Sequence, residues 1–255
     1  MRFVEVEVEV KENLYTWRAV LSEFISTLIF VFAASGSTIA VKNLAVKNLA
    51  VDPPIAVLAI GPPIASLAVD PPIASLAVAI ANALALSAAV SFGRNISVGH
   101  VNPAVTFAGF VSGKVTWFRC IIFWFAQILG SVIACLLLKF ISGGQRIPVF
   151  ELSSGMKVKN ALVLDTTRTF AFMCAVYNFY SISSRNVSKA MRLFIGLAVG
   201  ANYLWIKFFF FSYGVCMNPA APFGPALVGW SWENHWVSWV GPLTGAGLAA
   251  CCLFD

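Results

Sequence analysis

Two copies of one tripeptide, Asn102-Pro103-Ala104 and Asn218-Pro219-Ala220, stand 218 − 102 = 116 residues apart in a chain of 255, each leading into a short apolar stretch. Asn is a residue type that caps helices, and Pro suits the first helical position because its missing N–H has no intrahelical partner there. Each tripeptide therefore reads as a helix start, where aligned peptide dipoles concentrate partial positive charge and unpaired N–H donors. Two such starts facing each other would admit a neutral oxygen and oppose a cation or a proton. If each Asn side-chain carbonyl caps its own helix, its NH2 group is left free to donate to a passing oxygen. One Asn-Pro-Ala is an ordinary turn or helix start, but two in matching contexts imply a duplicated pore.

Composition names the solvent. With 59% hydrophobic and 11% charged residues and a mean hydropathy of +0.84, the chain has too little polar surface for a soluble globule and belongs in a bilayer. Its 17 Lys and Arg give a net charge of +6, yet they are scattered between apolar runs, which argues against nucleic acid as a partner. The six cysteines form no C-x-x-C pair and no cluster with either histidine, so neither a metal site nor another cofactor is expected. No nucleophile is paired with a base, which disfavours an enzyme. The first dozen residues alternate Val and Glu and have no apolar core of a cleavable signal, so the first span is expected to insert the chain itself.

Six runs are long enough to cross about 30 Å of hydrocarbon at roughly 20 residues each: 17–41, 73–92, 117–141, 161–180, 190–211 and 236–254. The segments 101–113 and 217–229 are apolar but only half that length. Such half-helices are tolerated in a membrane only where they line a cavity, and two entering from opposite faces make an inverted repeat whose starts meet near the midplane. The expected organisation is a single channel domain over 1–255, with a tail at 1–16 and an expanded first loop at 42–72. That loop holds Lys-Asn-Leu-Ala-Val twice and a nine-residue Pro-Pro-Ile-Ala unit in three copies starting at Pro53, Pro62 and Pro71; Pro-Pro disfavours both helix and ladder. The pairs Gly109/Gly113, Gly196/Gly200 and Gly241/Gly245 have the small-x-x-x-small spacing that lets membrane helices approach closely. With a cytosolic N-terminus the Lys and Arg distribution shows a weak positive-inside bias.

The runs Asn95-Ile-Ser-Val-Gly-His-Val-Asn-Pro-Ala-Val-Thr-Phe107, Phe123-Trp-Phe-Ala-Gln-Ile-Leu-Gly-Ser-Val-Ile-Ala-Cys135 and Asn234-His-Trp-Val-Ser-Trp-Val-Gly-Pro-Leu243 closely resemble the aquaporin family, specifically the plant tonoplast intrinsic proteins. The resemblance takes in most of the chain. It implies an all-α membrane protein of six transmembrane helices and two re-entrant half-helices, a passive channel for water or small neutral solutes, a homotetramer or a heterotetramer with related channels, and a place in the vacuolar membrane. It also implies that Glu23 and Asp165, carboxylates inside apolar spans, brace the two re-entrant loops, and that His100 orders the first. His235, beside Trp236, reads as an interfacial anchor. The narrowest ring would comprise Asn82, Val215, Ala221 and one residue of the fifth span: Ile206 counting back from Asn218, Tyr203 counting forward from Gly200.

Four features depart from the family. Ala221 stands where most aquaporins have an Arg that narrows the mouth and repels cations, so the ring should be wider, admitting urea, glycerol, hydrogen peroxide or ammonia. Pro222 should disturb the start of the second half-helix. Lys207 and Arg168 bring charges into spans five and four. These features leave open a non-conducting or regulatory subunit as the alternative to a channel.

Overall fold

The computed structural model describes residues 2–48, 71–152, 155–181, 189–210 and 216–253, with side chains described over most of them. Among these the regular structure is all helix, with no strand. There are six long helices, α1 (Arg2–Asn48), α2 (Pro71–Gly93), α4 (Trp117–Ile141), α5 (Val158–Ser181), α6 (Lys189–Phe210) and α8 (Val237–Leu253), and two short ones, α3 (Pro103–Val111) and α7 (Ala220–Gly229). Three stretches, Thr16–Leu44, Ile73–Gly93 and Trp117–Ile141, are long and apolar enough to cross a membrane on those grounds alone. The rest of the bundle is less clear-cut by that measure. Helix α5 carries Lys159, Asp165 and Arg168, and the 17 residues of α8 rise only about 25 Å. Helices α3 and α7, of 9 and 10 residues, rise about 14–15 Å, half a bilayer.

The packing repeats between halves. Helix α1 packs on α2 and α4 as α5 packs on α6 and α8; each half-helix also lies against the last long helix of the other half, α3 on α8 and α7 on α4. Close approach is made possible by small residues. A Cβ on Gly200 would come within 2.9 Å of both the Ala79 carbonyl and the Ala83 Cβ, and one on Gly196 would meet the Ala83 carbonyl, so this pair seats α6 on α2. A Cβ on Gly241 would come within 2.6 Å of the Asp165 Cβ and one on Gly245 would meet the Thr166 carbonyl, which seats α8 on α5. The third spacing works differently. A Cβ on Gly113 would meet nothing within 4 Å, and its φ is +69°, so it follows α3 as a left-handed turn residue rather than packing a helix. A run of rings, Phe107–Trp124–Trp239–Phe223 with centroids 6.0–6.4 Å apart, joins the two half-helices along one flank. Outward-facing residues such as Phe125, Leu129 and Phe140 are exposed and apolar, as a lipid-facing surface requires.

Three boundaries differ from the sequence reading. Helix α1 runs through the expected tail from Arg2 and through Lys42 into the expected loop as far as Asn48, because no Pro interrupts it and its only Gly is Gly36. The third Pro-Pro unit is not loop either. Pro71 and Pro72 open α2, where the first N–H groups of a helix have no intrahelical acceptor and Pro loses nothing. The first two units, at 53–70, lie outside the described residues.

Replacing Gly245 by Val should press a side chain onto the α5 backbone at Thr166, a cost of about 1–3 kcal/mol of the kind overpacking brings. Gly229→Ala, where an added Cβ makes only an ordinary 3.4 Å contact with Val149, should change stability by no more than about 0.5 kcal/mol. Thermal unfolding in detergent, followed by loss of the monodisperse species, should separate the two.

Candidate pore and its bracing

Asn102, extended at φ −156° and ψ 122°, turns its Oδ1 back to accept the Ala104 N–H at 2.8 Å, and Pro103 follows as the first residue of α3. In the second copy Asn218 Oδ1 accepts the Ala220 N–H at 3.1 Å, with Pro219 already in helical geometry. The two asparagines then reach across to each other's loop. Asn102 Nδ2 donates to the Met217 carbonyl and Asn218 Nδ2 to the Val101 carbonyl, each at 2.9 Å. The expectation of a wholly free NH2 group is thereby corrected: of its two N–H donors, one ties the halves together and one remains. Both asparagines line a cavity of about 190 Å³, together with Asn82, Tyr203, Ile206 and Ala221. A second cavity of about 250 Å³ shares His100 and Val105 with it and is lined by Arg94, Lys114 and Arg119.

The first loop is strained and strongly held. Val98 and Val101 sit at φ 77° and 58°, a region that costs a β-branched residue on the order of 1–3 kcal/mol. Glu23, fully buried, offsets this. Its Oε1 accepts the His100 N–H at 2.8 Å and the Ser97 hydroxyl at 2.7 Å; its Oε2 accepts the Val101 N–H at 2.7 Å and Gln127 Nε2 at 2.8 Å. Gln127 also donates to Thr106 Oγ1 at 3.0 Å, which lies 3.1 Å from His100 Nδ1. A buried carboxylate is costly unless its lone pairs are filled, and here four donors fill them. Ser97, Thr106 and Gln127 were not singled out from the sequence, although a Gln inside an apolar span was the available signal.

The second loop is held, at its described residues, by a different carboxylate. Asp165, also fully buried, accepts the Cys216 N–H at 3.3 Å and faces Arg168 Nη1 at 3.5 Å. Arg168 Nε in turn donates to Asn202 Oδ1 on α6 at 3.4 Å. Among the described residues this is the one ion pair buried in the bundle.

Pro222 does not spoil the helix start, contrary to expectation. In the first copy the Asn102 carbonyl accepts the Thr106 N–H at 3.0 Å; at the matching place Pro222 has no N–H, and the Asn218 carbonyl accepts the Ala221 N–H at 3.1 Å and the Cys216 thiol at 2.8 Å. A tighter first turn replaces the missing bond, and α7 runs unbroken to Gly229. Of the proposed ring, Asn82, Ala221 and both alternatives Tyr203 and Ile206 line the cavity; Val215 lies outside the described residues, as does the Lys207 side chain. Asn82 Nδ2 donates to the Val78 carbonyl of its own helix at 2.8 Å. His235 is buried, accepting the Trp239 indole N–H at Nε2 at 3.2 Å and meeting Phe223 and Trp232 edge-on.

Two half-helices starting at one point beside a cavity, inside a bundle of spanning helices, define a passive membrane channel. A family model described as Major intrinsic protein matches residues 10–253. Aquaporin TIP1-1 of Arabidopsis thaliana is 46% identical over 234 residues, 91% of this chain and 84% of that one; Aquaporin TIP1-2 of Zea mays is 44% identical over 236 residues, 92% and 84% respectively. In fold the chain is similar to the aquaglyceroporin from Plasmodium falciparum, with a TM-score of 0.67 over 92% of this chain and 94% of that one at 18% identity. The chain belongs to the major intrinsic protein family, and within it to the tonoplast intrinsic aquaporins.

Glu23→Gln exchanges an acceptor oxygen for an NH2 group facing N–H donors. It should destabilise the folded channel by about 3 kcal/mol or more, read as a lowered unfolding midpoint in detergent.

Proposed function

We propose that the chain passes water and neutral solutes larger than water, with Asn102 and Asn218 as the central donors and Asn82, Ile206 or Tyr203, Val215 and Ala221 as the ring that sets the size limit. The observation that carries this reading is Ala221: a methyl side chain on the cavity wall where most of the family has a guanidinium. A smaller side chain leaves a wider and less polar opening, so urea, glycerol, hydrogen peroxide or ammonia need not be stripped by a charged donor to enter. The remaining N–H of each asparagine is directed by two fixed bonds, its own cap and the cross-loop carbonyl, and can reorient an oxygen as it passes. Glu23 and Asp165 act as braces in this reading, not as a proton relay, because Glu23 is filled by four donors and Asp165 is paired with Arg168. His100 holds Thr106 and orders the loop.

The channel resides in the vacuolar membrane, and family membership supports a tetramer, of this chain alone or mixed with related channels. No cofactor takes part.

Proteoliposomes shrinking in water, urea and glycerol gradients test the solute range. Native protein should carry all three; Ala221→Arg should keep water flux while lowering urea and glycerol entry about tenfold; Asn218→Asp should abolish selective passage. Movement of water alone through the native protein would overturn the wide-ring reading.

A further inference from the structure

Arg168 is the element of the cavity wall that the family pattern does not explain. It belongs to α5 rather than to a re-entrant loop. It is 7% exposed, and its ion-pair partner Asp165 is 0% exposed. Of the two, only Arg168 lines the cavity. The carboxylate therefore sits behind the guanidinium, and an ion in the cavity meets the positive end of the pair first. The guanidinium is also fixed in place, by Asp165 on its own helix at 3.5 Å and by Asn202 on α6 at 3.4 Å. Asn202 is itself held, donating from Nδ2 to the Ala198 carbonyl at 2.8 Å. These contacts use two of the five N–H donors of a guanidinium.

A buried arginine in a membrane is costly unless it faces a protein partner or a water-filled cavity, and this one does both. The same cavity is lined by Ala221, where the charge is missing.

We propose that Arg168 supplies from α5 the fixed positive charge that excludes cations from this pore, in place of the arginine absent at position 221. The charge is displaced from the ring formed by the second half-helix onto the wall beside it, so the ring stays wide while the path stays closed to cations. Size selection and charge rejection, which one arginine serves together in most of the family, are here assigned to different residues. The inference rests on the channel reading, since it concerns what that channel rejects.

The test compares native protein, Arg168→Lys, Arg168→Met and the double variant Asp165→Asn/Arg168→Met in proteoliposomes. Water flux, potassium permeability and proton leak are measured on each. The double variant leaves no buried carboxylate without its cation, which guards against a single variant that fails to fold. Native protein and Arg168→Lys should pass water and hold back potassium and protons, whereas both Met variants should pass water and leak cations about tenfold faster or more. Met variants that carry water and exclude cations as well as the native protein would overturn the proposal, leaving Arg168 a structural partner of Asp165. Native protein that carries no water while the Met variants do would also overturn it, making Arg168 a plug. If no form carries water, the channel reading fails, and the filter role with it.

Discussion

The carbonyls of Val101 and Met217 are where the two halves of this protein depend on each other. At bilayer depth there is no solvent to satisfy a loop carbonyl or the first N–H groups of a helix, so every such group needs a protein partner. Here the same two side chains meet both needs. Each asparagine accepts from its own half-helix and donates to the opposite loop. Remove either amide and one helix start loses its cap while the other loop loses its donor. The half-helices cannot drift apart without breaking both, and the donors that face the cavity stay in place without any moving part.

That junction has to be supported from behind, and the two halves do it with different chemistry. Glutamate at position 23 is long enough to reach two successive N–H groups of its loop and two side chains besides. It holds Val101 in a left-handed conformation and so aims the carbonyl that Asn218 uses. Aspartate at 165 is one methylene shorter and reaches a single loop N–H at 3.3 Å. Left at that, its charge would be under-filled in a dry interior. Arg168 completes it, and Met217, the counterpart of Val101, has no positive φ that needs holding. A short carboxylate and a neighbouring arginine go together on one side; a long carboxylate, neutral donors and a strained loop go together on the other.

Much of this was legible before any coordinates. Span lengths, half-length segments and the two tripeptides rest on period, length and helix-cap chemistry, which are local properties, and every helix but α1 lies within a few residues of the expected bounds. What was not legible depends on which side chain meets which across the bundle. Nothing in the sequence separation of Asn102 and Met217 says that one donates to the other, so the amides read as free. Gly109 and Gly113 have the same spacing as Gly241 and Gly245, and only the neighbouring helix distinguishes a packing pair from a turn. Pro222 read as a defect because the local rule considers one missing N–H; the structure supplies other donors, Ala221 and Cys216, to the orphaned carbonyl. Arg168 read as an obstruction because its partner on the next helix, Asn202, is 34 residues away.

The unusual stretches of sequence fall where this architecture can absorb them. Tandem Lys-Asn-Leu-Ala-Val and Pro-Pro units occupy the connection between α1 and α2, and their ends are taken up as extra helix at Asn48 and Pro71 rather than as a shift in register. The count between Gly200 and Asn218 is also longer than the family pattern, which is why Tyr203 and Ile206 both arise as candidates. They are 206 − 203 = 3 residues apart on one helix, close to a full turn of 3.6, so both can present to the same cavity, and both line it. An insertion there changes which side chain stands at the ring without moving the ring itself, because the half-helix is fixed by its asparagine and α6 by Gly196 and Gly200. The contacts near the midplane are therefore the part of the chain with no tolerance in length, and the outer connections are the part free to vary.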